Sequence, residues 1–351
     1  MKDIQAPLPR REFLGRGLAL ALSSPVGARA APRRALPDWL RQDDFDRFLE
    51  EASRAGGLPR PWLLQQFSQA ERQDKALALA NPPPNPNAPA RSLRRRIASN
   101  LTPKVIAEGQ QYLRQHAPAF AKAEAQFGVA SPIICAILGV ETRYGKILGQ
   151  FPAVDTLASL GFASPRRQDY FRSELLALLQ MGHRKELSLT GLKGSFAGAL
   201  GIPQFMPSNW ARFGEDLDQD GRLDLIASPA DAIGSVAKFL NRHGWMPGQP
   251  THLTLSEAQR RLVLDPALYE RFVTHGLRPL DSVGLLNGLS LAPADAALPP
   301  DTPASIILLP EVNDEGPAWM AGPNFFAICQ YNRSYLYAAS VSLLASAFTA
   351  A

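Results

Sequence analysis

Cysteine is scarce: the 351 residues contain two, Cys135 and Cys329. Two cysteines so far apart, without His or Cys company at metal-ligand spacing, exclude a disulfide framework and a zinc site. An exported protein could still join the two in one disulfide, but their apolar neighbours favour buried free thiols. Long hydrophobic runs are lacking too. No stretch is long enough to cross a bilayer, and no cysteine follows the N-terminal apolar stretch to carry a lipid, so no membrane anchor is expected. Basic charge is thinner than the formal net charge of +5 suggests. Residues 1–30 hold five basic residues and two acidic ones, which leaves +2 for the rest of the chain and removes the main support for nucleic-acid binding.

Those thirty residues read as an export signal. Basic residues precede a short apolar stretch from Leu14 to Val26, and Ala28-Arg29-Ala30 forms an A-x-A cleavage pattern. Arg10-Arg11-Glu12-Phe13-Leu14 resembles the twin-arginine (Tat) signature. The alternative is a basic amphipathic first helix. The expectation is a cleaved, Tat-like signal peptide and a periplasmic protein.

The full chain is 46% apolar, ample for a large core, with 31 prolines to interrupt long elements. The pattern is mainly α. Apolar positions recur at helical spacing through 36–80, 103–127, 131 to about 145, 155–183 and 229–244, with Ser131-Pro132 as a cap and first turn. "NPPPNPNAP" (81–89) is a loop. After Gly248, "THLTL", "RLVL" and "SIILLPE" read as short β runs, and "YLYAASVSLLASAFTA" returns to helix. The organisation expected is a helical N-terminal region over 31–100, a core over 101–248, a small β-containing insertion over 249–318, and a return to the core over 319–351.

Four constellations carry chemistry. In "ICAILGVETRYGKILG" (134–149), Glu141 sits at the end of an apolar helix. The negative helix C-terminus and burial both disfavour its ionised form, as a general acid working near neutral pH requires. A solvated Glu, or one paired with Arg143, is the alternative. In "KGSFAGALGIPQFMPS" (193–208), glycines allow close approach. Ser195 and Gln204 offer hydrogen bonds there, and Phe205 and Met206 offer apolar faces, a mixture that suits an N-acetylated sugar chain. A glycine-rich helix crossing competes with that reading. In "DLDQDGRLDLIASPAD" (216–231), Asp216, Asp218, Asp220, the backbone of Arg222, and Asp224 follow the start of an EF-hand loop. Position twelve is Ala227, so Asp231 is the candidate closing ligand for a structural Ca²⁺; a solvated acidic turn is the alternative. In "FFAICQYNRSYLYA" (325–338), Tyr331, Asn332, Tyr335 and Tyr337 cluster at a strand–helix junction, for stacking on sugars or for structure.

Together these segments resemble the soluble lytic murein transglycosylase B family (glycoside hydrolase family 103). The likeness runs through "GVETRYG" (139–145), "FPAVDTLASLGFASPRRQDYF" (151–171), "LKGSFAGALGIPQFMPSNW" (192–210), "DAIGSVAKFLNRHGW" (231–245) and "GPNFFAICQYN" (322–332). It implies a lysozyme-like core with a helical N-terminal domain and a small β-containing insertion. It implies cleavage of the MurNAc-β-1,4-GlcNAc bond of peptidoglycan with 1,6-anhydroMurNAc ends, and no cofactor in the chemistry. Glu141 is then the sole acid/base, and Ser195, Gln204, Phe205, Tyr331, Asn332 and Tyr337 are substrate-groove positions. The chain departs from the family at Ile202-Pro203, where Tyr-Gly is common, and in an acidic loop one residue longer before Asp231. Partners expected are glycan strands and other cell-wall enzymes. The rival readings are a hydrolytic muramidase, which requires a second carboxylate that no motif supplies, and a non-catalytic peptidoglycan-binding protein.

Overall fold

Apolar residues at helical spacing between 36 and 80 build a 3₁₀ turn and three helices, α1 (Asp43–Arg54), α2 (Arg60–Phe67) and α3 (Asp74–Ala80). The computed structural model describes residues 36–349 except 41, 86–91, 274–275, 294–297 and 312–315. The expected signal peptide, with Arg10 and Arg11, lies outside the described residues. Phe45 of α1 meets Phe67 and Phe162 edge-on, with ring centroids 5.0 and 5.1 Å away. Edge-to-face packing of this kind adds to burial and fixes the helices' orientation.

The short helix α4 (Leu93–Ile97) leads to α5 (Pro103–Gln115), α6 (Ala117–Phe127) and α7 (Ser131–Thr142). Residues Ile134 through Leu138 of α7 have no exposed surface at all. A helix apolar all round belongs in a core, and α16 (Tyr335–Thr349) packs along this one. Ser131 is the first helical residue rather than the cap. The Glu124 carboxylate takes the capping role, accepting the Ser131 N–H at 3.1 Å and its hydroxyl at 2.5 Å. The helix stops at Thr142, three residues before Gly145. Cys135 and Cys329 are both buried and free. Helices α8 (Ala153–Ala163), α9 (Gln168–His183), α10 (Pro207–Phe213) and α11 (Pro229–Arg242) complete this part of the core, with the two-residue strands β1 (Phe151–Pro152) and β2 (Lys193–Gly194) paired beside them. Among the described residues no single helix is long and apolar enough to cross a membrane.

The β-containing segment holds a four-stranded antiparallel sheet in the order β3-β6-β5-β4, formed by β3 (His252–Thr254), β4 (Asp281–Ser282), β5 (Pro303–Leu308) and β6 (Ala318–Ala321). The sheet closes past residue 318, because β6 pairs with β3 and β5 through Ala321. Alternate side chains point to opposite faces. Ala304, Ile306, Ala318 and Met320 enter a small local core, whereas Ile307, Leu309, Trp319 and Ala321 enter the main one. Two buried faces explain why "IILL" (306–309) is continuously apolar rather than alternating. "RLVL" is not a strand. It closes α12 (Glu257–Val263), where Ser256 and Gln259 form a capping box that commits the segment to helix. Helices α13 (Pro266–Phe272) and α14 (Val283–Gly288) flank it. Likewise "FFAICQY" is helical: Pro323 opens α15 (Pro323–Tyr331), so the Tyr–Asn cluster joins two helices. The buried Asn324 ties that helix to the loop after α11, bonding Met246 N and O and Gln249 O at 2.7–2.9 Å.

Candidate active site

Glu141 lies one residue from the end of α7 and is part-exposed. The hydroxyl of the buried Tyr337, from α16, donates to its Oε1 at 2.6 Å. Burial pushes the Glu141 carboxyl up from 4.5 to about 7, against the opposing pull of the Tyr337 hydrogen bond and the positive charge of Arg96 on α4. Burial beside this acid also holds the Tyr337 phenol well above its ordinary range, so it stays a donor. No second carboxylate figures among the described groups acting on Glu141. Arg143 does not pair with Glu141; its guanidinium lies 4.0 Å from Glu108, which also binds Lys146 at 2.9 Å.

The backbone immediately after the acid is strained. Arg143, Tyr144 and Gly145 have φ of 53°, 59° and 83°, and the first two are side-chain-bearing residues in the left-handed region. Several contacts hold them there. Thr142 Oγ1 donates to Ile202 O at 2.8 Å and accepts from Gly145 N at 3.0 Å. The Tyr144 hydroxyl donates to Val105 O at 2.9 Å. Its ring occupies a slot between Gly139 and Gly109, where a Cβ would lie 2.7 and 2.5 Å from Tyr144 atoms. The tight turn ending α7 therefore has a fixed shape, and Glu141 with it.

The 193–208 segment is a compact loop rather than a helix crossing. Gly194 bridges to Leu200 and Leu200 to Phe205. Ser195 Oγ accepts the N–H groups of Ala199 and Ala197 at 3.0 and 3.3 Å. Gln204, at φ 52°, donates its amide to Gly201 O and Leu148 O at 2.9 and 3.2 Å. Phe205 does not line a surface. It is 1% exposed, behind Tyr331, with ring centroids 5.6 Å apart. Tyr331 in turn lies parallel to Tyr337 at 6.3 Å and donates to Pro203 O at 2.5 Å. Phe205, Tyr331 and Tyr337 thus form a packed series of rings ending at Glu141. Met206 is part-exposed, and Asn332, just past α15, is exposed. In the glycine-rich loop the ring that reaches solvent is Phe196. Sequence reasoning missed Arg96, for no motif links residue 96 to residue 141.

In the acidic loop, Asp216, Asp218 and Asp231 bring one carboxylate oxygen each within 4.8 Å of the others. Asp220 and Asp224 are not in this group. Asp220 Oδ1 accepts Arg222 N at 2.8 Å, and Asp224 accepts Ile226 and Ala227 N, both at 2.9 Å. The Arg222 side chain pairs with Asp224 at 3.2 Å. Asp231 is fully buried and receives Leu217 N and Asp224 N at 3.0 and 2.8 Å. Burial above all, and then the charges of Asp218 and Asp216, push its carboxyl up. Asp216 Oδ1 is buried with no hydrogen-bond partner. An unpartnered buried carboxylate oxygen beside two more acids is a donor set that fits a hard cation such as Ca²⁺.

Residues 41–346 match the family model described as "Transglycosylase SLT domain". The membrane-bound lytic murein transglycosylase B of Escherichia coli K12 is 33% identical over 319 residues, spanning 88% of this chain and 84% of that one. The E. coli lytic transglycosylase Slt35 in complex with calcium superposes with a TM-score of 0.75 at 32% identity, covering 90% of this chain and 96% of that one. SltB3 from Pseudomonas aeruginosa, in complex with NAG-anhNAM-pentapeptide, gives 0.72 at 28% identity over 87% and 78%.

Proposed function

This chain belongs to the transglycosylase SLT domain family, and from that premise we propose that Glu141 is its one acid/base, acting twice per turnover. The protein is a lytic murein transglycosylase, cleaving the MurNAc-β-1,4-GlcNAc bond of peptidoglycan and leaving a 1,6-anhydroMurNAc end. The observation that carries the residue assignment is a carboxyl poised at about 7 and hydrogen-bonded by Tyr337. A group of that pKa is substantially protonated, yet readily ionised, at neutral pH.

In the first step, protonated Glu141 gives its proton to the glycosidic oxygen as the bond to C1 breaks. The substrate's own acetamido oxygen stabilises the cationic C1, as in substrate-assisted glycosidases. The Tyr337 hydroxyl then bonds the newly formed carboxylate without surrendering its own proton. In the second step, Glu141 takes the proton of the muramic C6 hydroxyl while that oxygen bonds C1. The acid is regenerated and no water is consumed. Ser195 supports substrate positioning: its oxygen accepts two backbone N–H groups, so its own hydrogen remains to donate. Both Gln204 contacts use the amide nitrogen, leaving the carbonyl oxygen as an acceptor. Exposed Asn332 and part-exposed Met206 and Tyr331 belong to the same groove, with Tyr337 and buried Phe205 as its support.

Asp216, Asp218 and Asp231 would hold a calcium ion, with the Asp220–Asp224 turn shaping the loop. That ion supplies charge neutralisation, a structural role. Export by the signal read in residues 1–30 would bring the enzyme to its periplasmic substrate.

Mass spectrometry of digested sacculi tests the reaction. Anhydro ends are expected throughout, and products heavier by one water would establish the hydrolytic rival. Tyr337→Phe tests the site. Its hydrogen bond lowers the Glu141 pKa, so its loss raises that pKa above about 7 and moves the alkaline limb of the kcat profile upward. Turnover should fall about tenfold, in line with one lost charge-assisted hydrogen bond. An alkaline limb that stays in place would separate Tyr337 from the acid.

A further inference from the structure

The backbone of Ile202 lies between the turn that ends α7 and the acidic loop. On one side its carbonyl accepts the Thr142 hydroxyl at 2.8 Å, and Thr142 directly follows Glu141. On the other side its N–H donates to Leu225 O, also at 2.8 Å. Leu225 is fully buried and directly follows Asp224, whose N–H donates to the Asp231 carboxylate at 2.8 Å. A series of short hydrogen bonds therefore leads from one of the converging acids to the residue beside Glu141. The approach is close enough to require glycine: Gly201 has φ 70°, and a Cβ there would lie 2.4 Å from Leu225 O.

Thr142 is the member of this series with two discrete arrangements. Its buried hydroxyl has one hydrogen and two acceptors within reach: Ile202 O at 2.8 Å, and Leu138 O, one turn back in α7, at 3.3 Å. While Ile202 stays against Leu225, the shorter bond holds. Were Ile202 to withdraw, the hydroxyl would turn back to Leu138 and the acid's turn would lose this tether. That turn depends on tethers, because Arg143 and Tyr144 occupy the left-handed region only while surrounding contacts hold them there. A calcium ion on Asp216, Asp218 and Asp231 would favour the first arrangement. It would fix Asp231, and through it Asp224 and Leu225.

We propose that Thr142 is a positioning residue for Glu141, through which calcium in the acidic loop acts on the catalytic turn by way of Leu225 and Ile202. The ion takes no part in the chemistry; it fixes the direction in which the carboxylate is held beside Tyr337. This inference rests on the reading of Glu141 as the acid and of the acidic loop as a calcium site. A packed route runs in parallel. Asp231 lies in the first turn of α11, whose Phe239 meets Tyr331 with ring centroids 4.9 Å apart. Packing by itself would leave calcium binding indifferent to the Thr142 hydroxyl, so that hydroxyl is where the two routes separate.

The experiment measures calcium affinity by titration calorimetry in the wild type, Thr142→Val and Thr142→Ser. Val keeps the branched shape without the hydroxyl, and Ser keeps the hydroxyl. Coupling between sites is reciprocal, so the Val protein should bind calcium about fivefold more weakly, the scale of one hydrogen bond. The Ser protein should bind it nearly as the wild type does. Activity is then read on soluble glycan strands, well below the melting temperature. Chelator should lower the wild-type kcat about fivefold and leave KM unchanged. The Val protein should show the lower kcat with calcium and with chelator alike, and the Ser protein should recover the wild-type response. Unchanged calcium affinity in the Val protein overturns the inference, as does a wild-type kcat indifferent to chelator. If the Val protein fails to fold, the wild-type comparison decides the matter. Failure of a premise is separately visible, as no calcium binding by the wild type or as activity retained in Glu141→Gln, and either would take this inference with it.

Discussion

Glu141→Gln should reduce turnover on peptidoglycan by about a thousandfold or more, since general acid–base catalysis contributes roughly 10²–10⁴ and this residue serves both proton transfers. Gln keeps the oxygen that Tyr337 bonds, so the fold should survive. The same substitution should stabilise the protein in alkali. The Glu141 carboxyl titrates at an ordinary 4.5 in the unfolded chain and at about 7 in the folded one. Between those values the unfolded state has released a proton that the native state retains. Stability therefore declines as pH rises through this window, reaching a deficit of about 3 kcal/mol above it. Gln cannot ionise and escapes that deficit. At roughly 2 °C per kcal/mol for a chain of this size, Tm should rise by about 5 °C at pH 8 and hardly change at pH 4. Melting curves at both pH values, alongside a sacculus assay, read both effects. Retained activity would return the protein to the non-catalytic reading, and equal Tm changes at the two pH values would remove the burial argument.

The second large effect concerns the acidic loop. Three carboxylate oxygens within 4.8 Å of one another repel strongly, on the order of 1–4 kcal/mol per pair at 4 Å for water-like to surface dielectric. A calcium ion present at about a hundred times its Kd adds some 3 kcal/mol, so chelation should lower Tm by about 5 °C or more. Asp216→Asn separates binding from folding. The variant loses a charge and donates where Oδ1 now lacks a partner. Its melt in chelator should therefore match or exceed the wild type's, while calcium should no longer raise it. A wild-type melt indifferent to both chelator and added calcium would dispose of the site.

Residue chemistry along the chain was enough for the parts of this protein that are local. The apolar run to Val140 placed a lone acid at a helix end. Alternate aspartates marked the loop after 216, and glycines after Gly194 marked a backbone that turns tightly. Local order misled where a capping box or an N1 proline outweighed β-like composition, as in "RLVL" and "FFAICQY". It also hid the double-sided burial of β5, because a continuously apolar run does not say how many cores it serves.

Tertiary structure alone decided what surrounds the acid. The donor to Glu141 comes from Tyr337, 196 residues away, and the nearby positive charge from Arg96 on a different helix. Phe205 turned inward as the support for Tyr331, and only three of the five loop aspartates converged. Periodicity and spacing report the environment a residue shares with its chain neighbours. A raised carboxyl pKa depends instead on desolvation and on partners brought in from distant segments, and those exist only once the helices have packed.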